Sequence, residues 1–303
     1  MIKLFSVECQ KLLDLIVNQR PPKYLPRAQS SFNEAILKEL DEKYQMYRDY
    51  QKMDEYQREA FYKSIETLDY SLILGMPGTG KTTTLSFIIR WLVLIMGKSV
   101  LISSHTHSAI DHIALKLQEK NLPFLRIGHE DKIDKSINPD FLLDKKQFKS
   151  VSEVEHCYSN ARVVICTSFG MNHSIFMRKR FDFCIVDEAS QLTLPACIGS
   201  LRLTQSFILV GDHFQLPPLV KSREALKLGY GESLFKILAD RSPEAMTSLC
   251  HQYRMNEEIM LIANRLTYQN LLKCGSESVK TQVLDIKGSV EESNWLRSIL
   301  KPR

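Results

Sequence analysis

Eight residues, "GMPGTGKT" from Gly75 to Thr82, restrict this chain more than any other stretch. They match G-x-x-x-x-G-K-[ST] without deviation. They follow the apolar run "YSLIL" and precede the helix-like "TTLSFIIRWLVLIM". A strand, a glycine-rich turn and a helix start in that order form the context in which the pattern has a physical meaning. Glycines let backbone N–H groups converge on an anion, and the helix N-terminus adds its positive dipole end. Gly75, Pro77, Gly78, Thr79, Gly80, Lys81, Thr82 and Thr83 are therefore the expected phosphate cradle. Lys81 has the reach for β- and γ-phosphates, and the Thr82 hydroxyl is of the type that ligates Mg²⁺.

A phosphate loop needs a sheet to sit on, and the sequence supplies one. Five short apolar runs occur at 70–74, 98–103, 162–167, 181–186 and 206–210, separated by helical patterns. Continuous apolar strands alternating with helices predict an α/β domain: a central, mostly parallel sheet flanked by helices. Residues 118–160 are charge-mixed and read as an irregular excursion with a short helix. Residues 1–52 carry apolar residues at three- and four-residue spacings, broken by "RPPKYLP". They predict an N-terminal helical stalk or linker (1–52), before a motor-type domain at 53–275 and a C-terminal extension at 276–303.

Bulk properties exclude some alternatives. The 303 residues carry 40 basic and 35 acidic side chains, net +5, a mild lean toward anionic partners. The longest apolar stretch, "FIIRWLVLIMG", is interrupted by Arg90 and is shorter than a membrane span. Seven cysteines are scattered without a C-x-x-C pair, so neither zinc nor a disulfide framework is expected.

Further chemistry clusters after the apolar runs. "FCIVDEAS" places Asp187 and Glu188 where a strand ends, the position at which open α/β sheets bind ligands. Asp187 is the candidate for holding Mg²⁺ through water, and Glu188 for the base that activates the attacking water. "LVGDHFQLPPL" puts Asp212 and Gln215 on a proline-stiffened loop. The Gln215 amide can both donate to a γ-phosphate and accept from a water. "HQYRM" offers Arg254 as a cation for charge developing on that phosphate. "SSHTHSAIDH" holds His105, His107 and His112, but no fourth ligand stands at metal-site spacing. Thr106 and His107 are instead candidates for phosphate contacts to nucleic acid, as are Thr167 and Ser168 in "CTSFGM". Capped helix starts would explain both stretches equally well.

Taken in order, these stretches resemble the motifs of superfamily 1 helicases. "MDEYQREAF" resembles the Q-motif, which implies Gln57 as an adenine contact. "GMPGTGKTTT", "SSHTHSAIDHIALKL", "IVDEASQ", "LVGDHFQLPPLV" and "QYRMNEEIM" resemble motifs I, Ia, II, III and IV. "GESLFKIL" and "NRLTYQNLL" fit the 5′→3′ branch. "FDFCIVDEASQ" and "LVGDHFQLPPLVKSREALKLGYGESLF" narrow the resemblance to the eukaryotic replication helicase/nucleases, enzymes that trim flaps and resect broken ends. The resemblance runs from about residue 5 to the end and implies a RecA-like fold.

It also implies an ATP-hydrolysing DNA helicase motor that uses Mg²⁺ and translocates on single-stranded DNA, in replication and repair, in the nucleus. Further implied partners are a second RecA-like domain and replication or single-strand-binding proteins, with no membrane. The chain departs from the family at His105 and His112, where an aromatic and an asparagine are expected. The nuclease part, its iron–sulfur cysteines and motifs V and VI do not occur in it. The sequence therefore reads as the first motor domain, as a fragment or a truncated product. Arginines from the second domain would be missing, and loss of one catalytic arginine costs a factor of about 10³–10⁵. The expectation is a chain that binds Mg·ATP, hydrolyses it weakly and does not unwind DNA alone. An RNA helicase of the same branch and a catalytically deficient nucleotide-binding fragment are the alternatives.

Overall fold

The computed structural model describes residues 7–18, 20–27, 32, 34–143, 146 and 148–283. Most of the expected extension at 276–303 lies outside the described residues.

The centre is a seven-stranded sheet. Its strands are β1 (Tyr70–Gly75), β2 (Val100–Ser104), β3 (Leu125–Arg126), β4 (Val163–Thr167), β5 (Phe181–Asp187), β6 (Thr204–Gly211) and β7 (Met246–Leu249). The order is β3-β4-β2-β5-β6-β1-β7, and every pairing is parallel. The α/β class read from the sequence, a mostly parallel central sheet flanked by helices, is the class observed. The five expected strands are β1, β2, β4, β5 and β6. The apolar-run reading missed β3 and β7, the two edge strands. β3 is two residues long, and β7, "MTSL", buries only alternate residues. Neither leaves a continuous apolar run. A small separate pair joins β8 (His251–Gln252) to β9 (Lys273–Cys274).

Two apolar layers cover the sheet, which is why its central strands are apolar on both faces. Tyr70, Leu72 and Leu74 of β1 enter one layer and Ile73 the other. The helix Lys81–Leu94 lies in the second layer, with Leu85, Phe87, Ile88 and Trp91 fully buried. Each such side chain contributes about 1.5–3 kcal/mol by leaving water. The N-terminal helices do not stand apart. Leu12, Leu15 and Ile16 join the first layer, while Leu37, Met46 and Tyr50 join the second. Lys11 and Arg20 also converge on the buried carboxylate of Asp69, at 3.0 and 2.9 Å.

Arg90, the charge that interrupts the longest apolar run, is itself buried. It bonds Asp49 at 2.7 Å and the Tyr44 carbonyl at 2.6 Å. Among the described residues no helix is long and apolar enough to cross a membrane.

Candidate nucleotide site

The C-terminal ends of β1, β5 and β6 lie side by side, so the loops that leave them share one rim. A cavity of about 860 Å³ opens there. It is lined by the whole 75–83 loop and by Asp187, Glu188, Gln215 and Arg254. One space thus collects cradle, acids, amide and arginine from four separate stretches of sequence.

The loop takes its shape from glycine. Gly78 and Gly80 have φ of +74° and +77°, a region that side chains rarely adopt. Space also resists a side chain at Gly78, while at Gly80 the end of the Gln57 side chain would have to move. A Cβ on Gly78 would lie 2.7 Å from Cβ of Arg254, and one on Gly80 would lie 2.5 Å from Nε2 of Gln57. Gly80 caps the helix Lys81–Leu94, leaving its first N–H groups directed at the cavity.

Lys81 Nζ donates to Glu188 Oε1, and Gln191 Nε2 donates to Glu188 Oε2 at 3.1 Å. Burial disfavours the Lys81 ammonium, but the Asp187 and Glu188 carboxylates outweigh it and raise its pKa. Asp187 is 4% exposed. Burial pushes its carboxyl up to about 6; Lys81 opposes that rise and Glu188 adds to it. Glu188 holds φ +52°, a left-handed conformation uncommon for a side-chain-bearing residue. A buried carboxyl of raised pKa beside a threonine hydroxyl and a glycine cradle is a donor set that fits a hard dication on phosphate.

The Asp212 loop is tightly held. Asp212 accepts from Gln215 Nε2 at 2.5 Å, Tyr268 Oη at 2.9 Å and the Phe214 N–H at 3.0 Å. Its own N–H donates to Ser190 Oγ at 3.1 Å, which ties this loop to the Glu188 loop. Gln215 therefore reaches the cavity rim with its NH₂ already engaged. Arg254 enters from the β8 side, positioned by the Tyr253 N–H donating to the Gly78 carbonyl at 2.8 Å.

Other expected residues sit elsewhere or do other work. Gln57 does not line the cavity. Its NH₂ donates to the Thr79 carbonyl at 3.1 Å and its carbonyl accepts from Asp54 N–H at 3.3 Å, so it braces the phosphate loop from behind. Thr106 lines the cavity, and its hydroxyl accepts from Ala109 N–H at 3.2 Å as the cap of helix His107–Glu119. His107 Nδ1 meets Arg126 Nη2 at 3.1 Å. Thr167 ends β4 almost buried. Ser168 bonds Ser103 Oγ at 2.8 Å and the Ser104 carbonyl at 3.2 Å. Among the described residues no cluster of histidine, cysteine or acidic side chains has metal-site geometry. Sequence reasoning missed His112, Gln191 and Tyr253 as lining residues. Gln191 and Tyr253 were findable, since each lies within three residues of a motif residue.

The sequence matches the AAA domain family over residues 52–151 and 142–223, and a second AAA domain family over 230–299. The chain belongs to the AAA domain family. The chain is similar to the DNA replication ATP-dependent helicase/nucleases of several organisms. Identity is 42% to that of Bos taurus and 41% to that of Homo sapiens, each over 97% of this chain and 28% of the relative. With the Schizosaccharomyces pombe protein it is 39%, over 95% of this chain and 20% of the relative. The chain thus spans about a quarter of the length of the curated relatives it matches.

Proposed function

We propose that this AAA domain is an ATP-dependent DNA helicase motor domain, 5′→3′ in polarity, acting on single-stranded DNA in replication and repair within the nucleus. The observation that carries the proposal is the convergence of Lys81, Asp187, Glu188, Gln215 and Arg254 on one cavity built over a glycine cradle.

The residues divide the work. Backbone N–H groups of 78–83 grip the phosphates of ATP. Lys81 exchanges its Glu188 partner for phosphate oxygens. That exchange releases Glu188 to accept the proton of the attacking water. Arg254, whose guanidinium has no ion pair among the described residues, faces the charge that builds on the γ-phosphate. Gln215, anchored on Asp212, carries the state of the site into the loop that follows β6. Thr82 and Asp187 would hold Mg²⁺, which when bound neutralises charge on the phosphate oxygens. A second RecA-like domain is the proposed partner that completes the arginine set, and replication and single-strand-binding proteins are further proposed partners. Gln57 is proposed to reach adenine only by giving up its bond to Thr79. Thr106, His107 and Thr167 remain the proposed polar contacts to DNA.

ATP turnover by the purified chain, with and without single-stranded DNA, tests the reading against Glu188→Gln. Slow turnover that DNA stimulates, and that falls about 10²–10⁴-fold in the variant, is expected. Equal turnover in both proteins would overturn the assignment of Glu188. Stimulation by RNA in place of DNA would move the proposal to RNA.

A further inference from the structure

We infer that Phe169, backed by His105, is a stacking platform for one unpaired base of single-stranded nucleic acid; this rests on the nucleic-acid reading above. Phe169 is 66% exposed, although its neighbours Thr167 and Ser168 are 9% and 6% exposed. A lone exposed apolar side chain means little. Its setting is what distinguishes this one.

The ring is carried on a fixed support. Phe169 is the middle residue of the 3₁₀ turn Ser168–Gly170, directly after β4. Ser168 pins that turn to β2 through the Ser104 carbonyl and Ser103 Oγ, and Ser103 in turn meets Ser200 Oγ at 3.0 Å. His105 leaves the end of β2, where Ser104 pairs with Thr167. Its ring stands 5.7 Å from that of Phe169 at 68°, an edge contact that orients the aromatic. A ring held by backbone and neighbour alike loses little further freedom on binding.

Some polar groups near the ring already have partners. Thr106 Oγ1 caps a helix, Ser168 Oγ bonds β2, and His107 Nδ1 faces Arg126. What Phe169 adds to the proposed polar contacts of this rim is an exposed aromatic surface. Every base has a π-face, so such a contact reads no sequence and tolerates movement along the strand. His105, which backs the ring, is one residue from Thr106, which lines the nucleotide cavity. A base seated there would therefore sit against a loop that borders bound ATP.

The test is equilibrium binding of the 303-residue chain to fluorescent oligo-dT and to the same oligomer with abasic positions, across a salt series. Phe169→Ala is expected to weaken oligo-dT binding about 5- to 150-fold, the loss of one base–aromatic stack, without altering the salt slope. It should also lose the wild-type preference for dT over abasic sites. Phe169→Tyr should bind as wild type. Phe169→Trp should add tryptophan emission that oligo-dT quenches. Wild-type-like binding by the alanine variant would overturn the platform and leave the DNA reading standing, the ring then serving some other contact. Failure of the wild-type chain to bind any oligonucleotide would overturn both.

Discussion

Lys81 and Arg90 are two cations on one helix, each paired with a carboxylate from a distant part of the chain, and they do opposite jobs. Lys81 begins the helix and pairs with Glu188; both side chains keep some solvent, 19% and 28%. Arg90 lies nine residues on, 1% exposed, and pairs with Asp49. Each of its three guanidinium nitrogens has a partner: Nε on the Ser86 carbonyl, Nη1 on the Tyr44 carbonyl and Nη2 on Asp49. Lys120 closes the other Asp49 oxygen at 3.1 Å. The Arg90 pair is buried, so it fixes the N-terminal helices to the core. The Lys81 pair lies open to a cavity, so an incoming phosphate can exchange with its carboxylate. Burial, more than charge or distance, separates a fold pair from a working pair.

Breaking the buried pair should give the largest effect. Lys120 would keep one Asp49 oxygen, but Arg90→Met leaves the other Asp49 oxygen and the Tyr44 carbonyl without their donors, at a cost of about 3–5 kcal/mol in urea unfolding. Turnover per folded molecule should be unchanged. Lys81→Met should show the reverse pattern. Turnover should fall about 10²–10³-fold, as when one electrostatic donor is removed from a preorganised site. Its unfolding midpoint should move by less than about 1 kcal/mol, because Glu188 keeps contact with solvent. If both variants lose stability alike, or both lose turnover alike, the distinction between the two pairs fails.

The acid next to Glu188 sharpens the same contrast through pH. Asp187 has its carboxyl raised to about 6 in the folded protein by burial, against an ordinary value near 3.8. Between those values the folded chain holds a proton that the unfolded chain has released. Stability must therefore fall as pH rises from about 4 to 6 on account of this group. Asp187→Asn removes the titration. Its stability relative to wild type should increase across that window and level off above it, by up to about 3 kcal/mol. A flat difference between the two proteins from pH 4 to 7 would mean that Asp187 titrates normally. Mg²⁺ binding should require the ionised form, so metal affinity should drop below pH 6 in wild type.

Legibility in the sequence followed the same division. The phosphate loop, the paired acids and the five inner strands were readable because a local pattern fixes each. Glycine spacing sets the loop, and a continuous apolar run sets a strand buried on both faces. The role of Arg90 was not readable, since the sequence marks only a charge in an apolar stretch and Asp49 lies 41 residues away. The edge strands β3 and β7 failed for lack of length or of two buried faces. Polar residues after β2 and β4 look alike as text whether a hydroxyl faces solvent or caps a helix. Only the fold shows that Thr106 and Ser168 are engaged and that Phe169 is open.

The smallest predicted effect concerns Asp54, which links the two regions that frame the phosphate loop. One carboxylate oxygen caps the helix Glu55–Glu66 by accepting from Gln57 N–H at 2.9 Å. The other accepts from Tyr253 Oη at 2.8 Å, and His251 Nδ1 lies 3.7 Å away. Tyr253 in turn holds the Gly78 carbonyl through its backbone, and Arg254 packs on Gly78. Asp54→Ala removes the cap and should cost about 1 kcal/mol. It should also loosen Tyr253, raising KM for ATP several-fold with kcat nearly kept, because the loss falls on nucleotide positioning rather than on charge in the transition state. Asn caps helices as well as Asp. Asp54→Asn should therefore restore stability, its amide oxygen still accepting from Gln57 N–H, and most of the KM, because its NH₂ can donate to Tyr253 Oη where the carboxylate accepted. A KM that follows the cap in neither variant would confine Asp54 to the helix start and detach the Gln57 helix from the arginine side of the site.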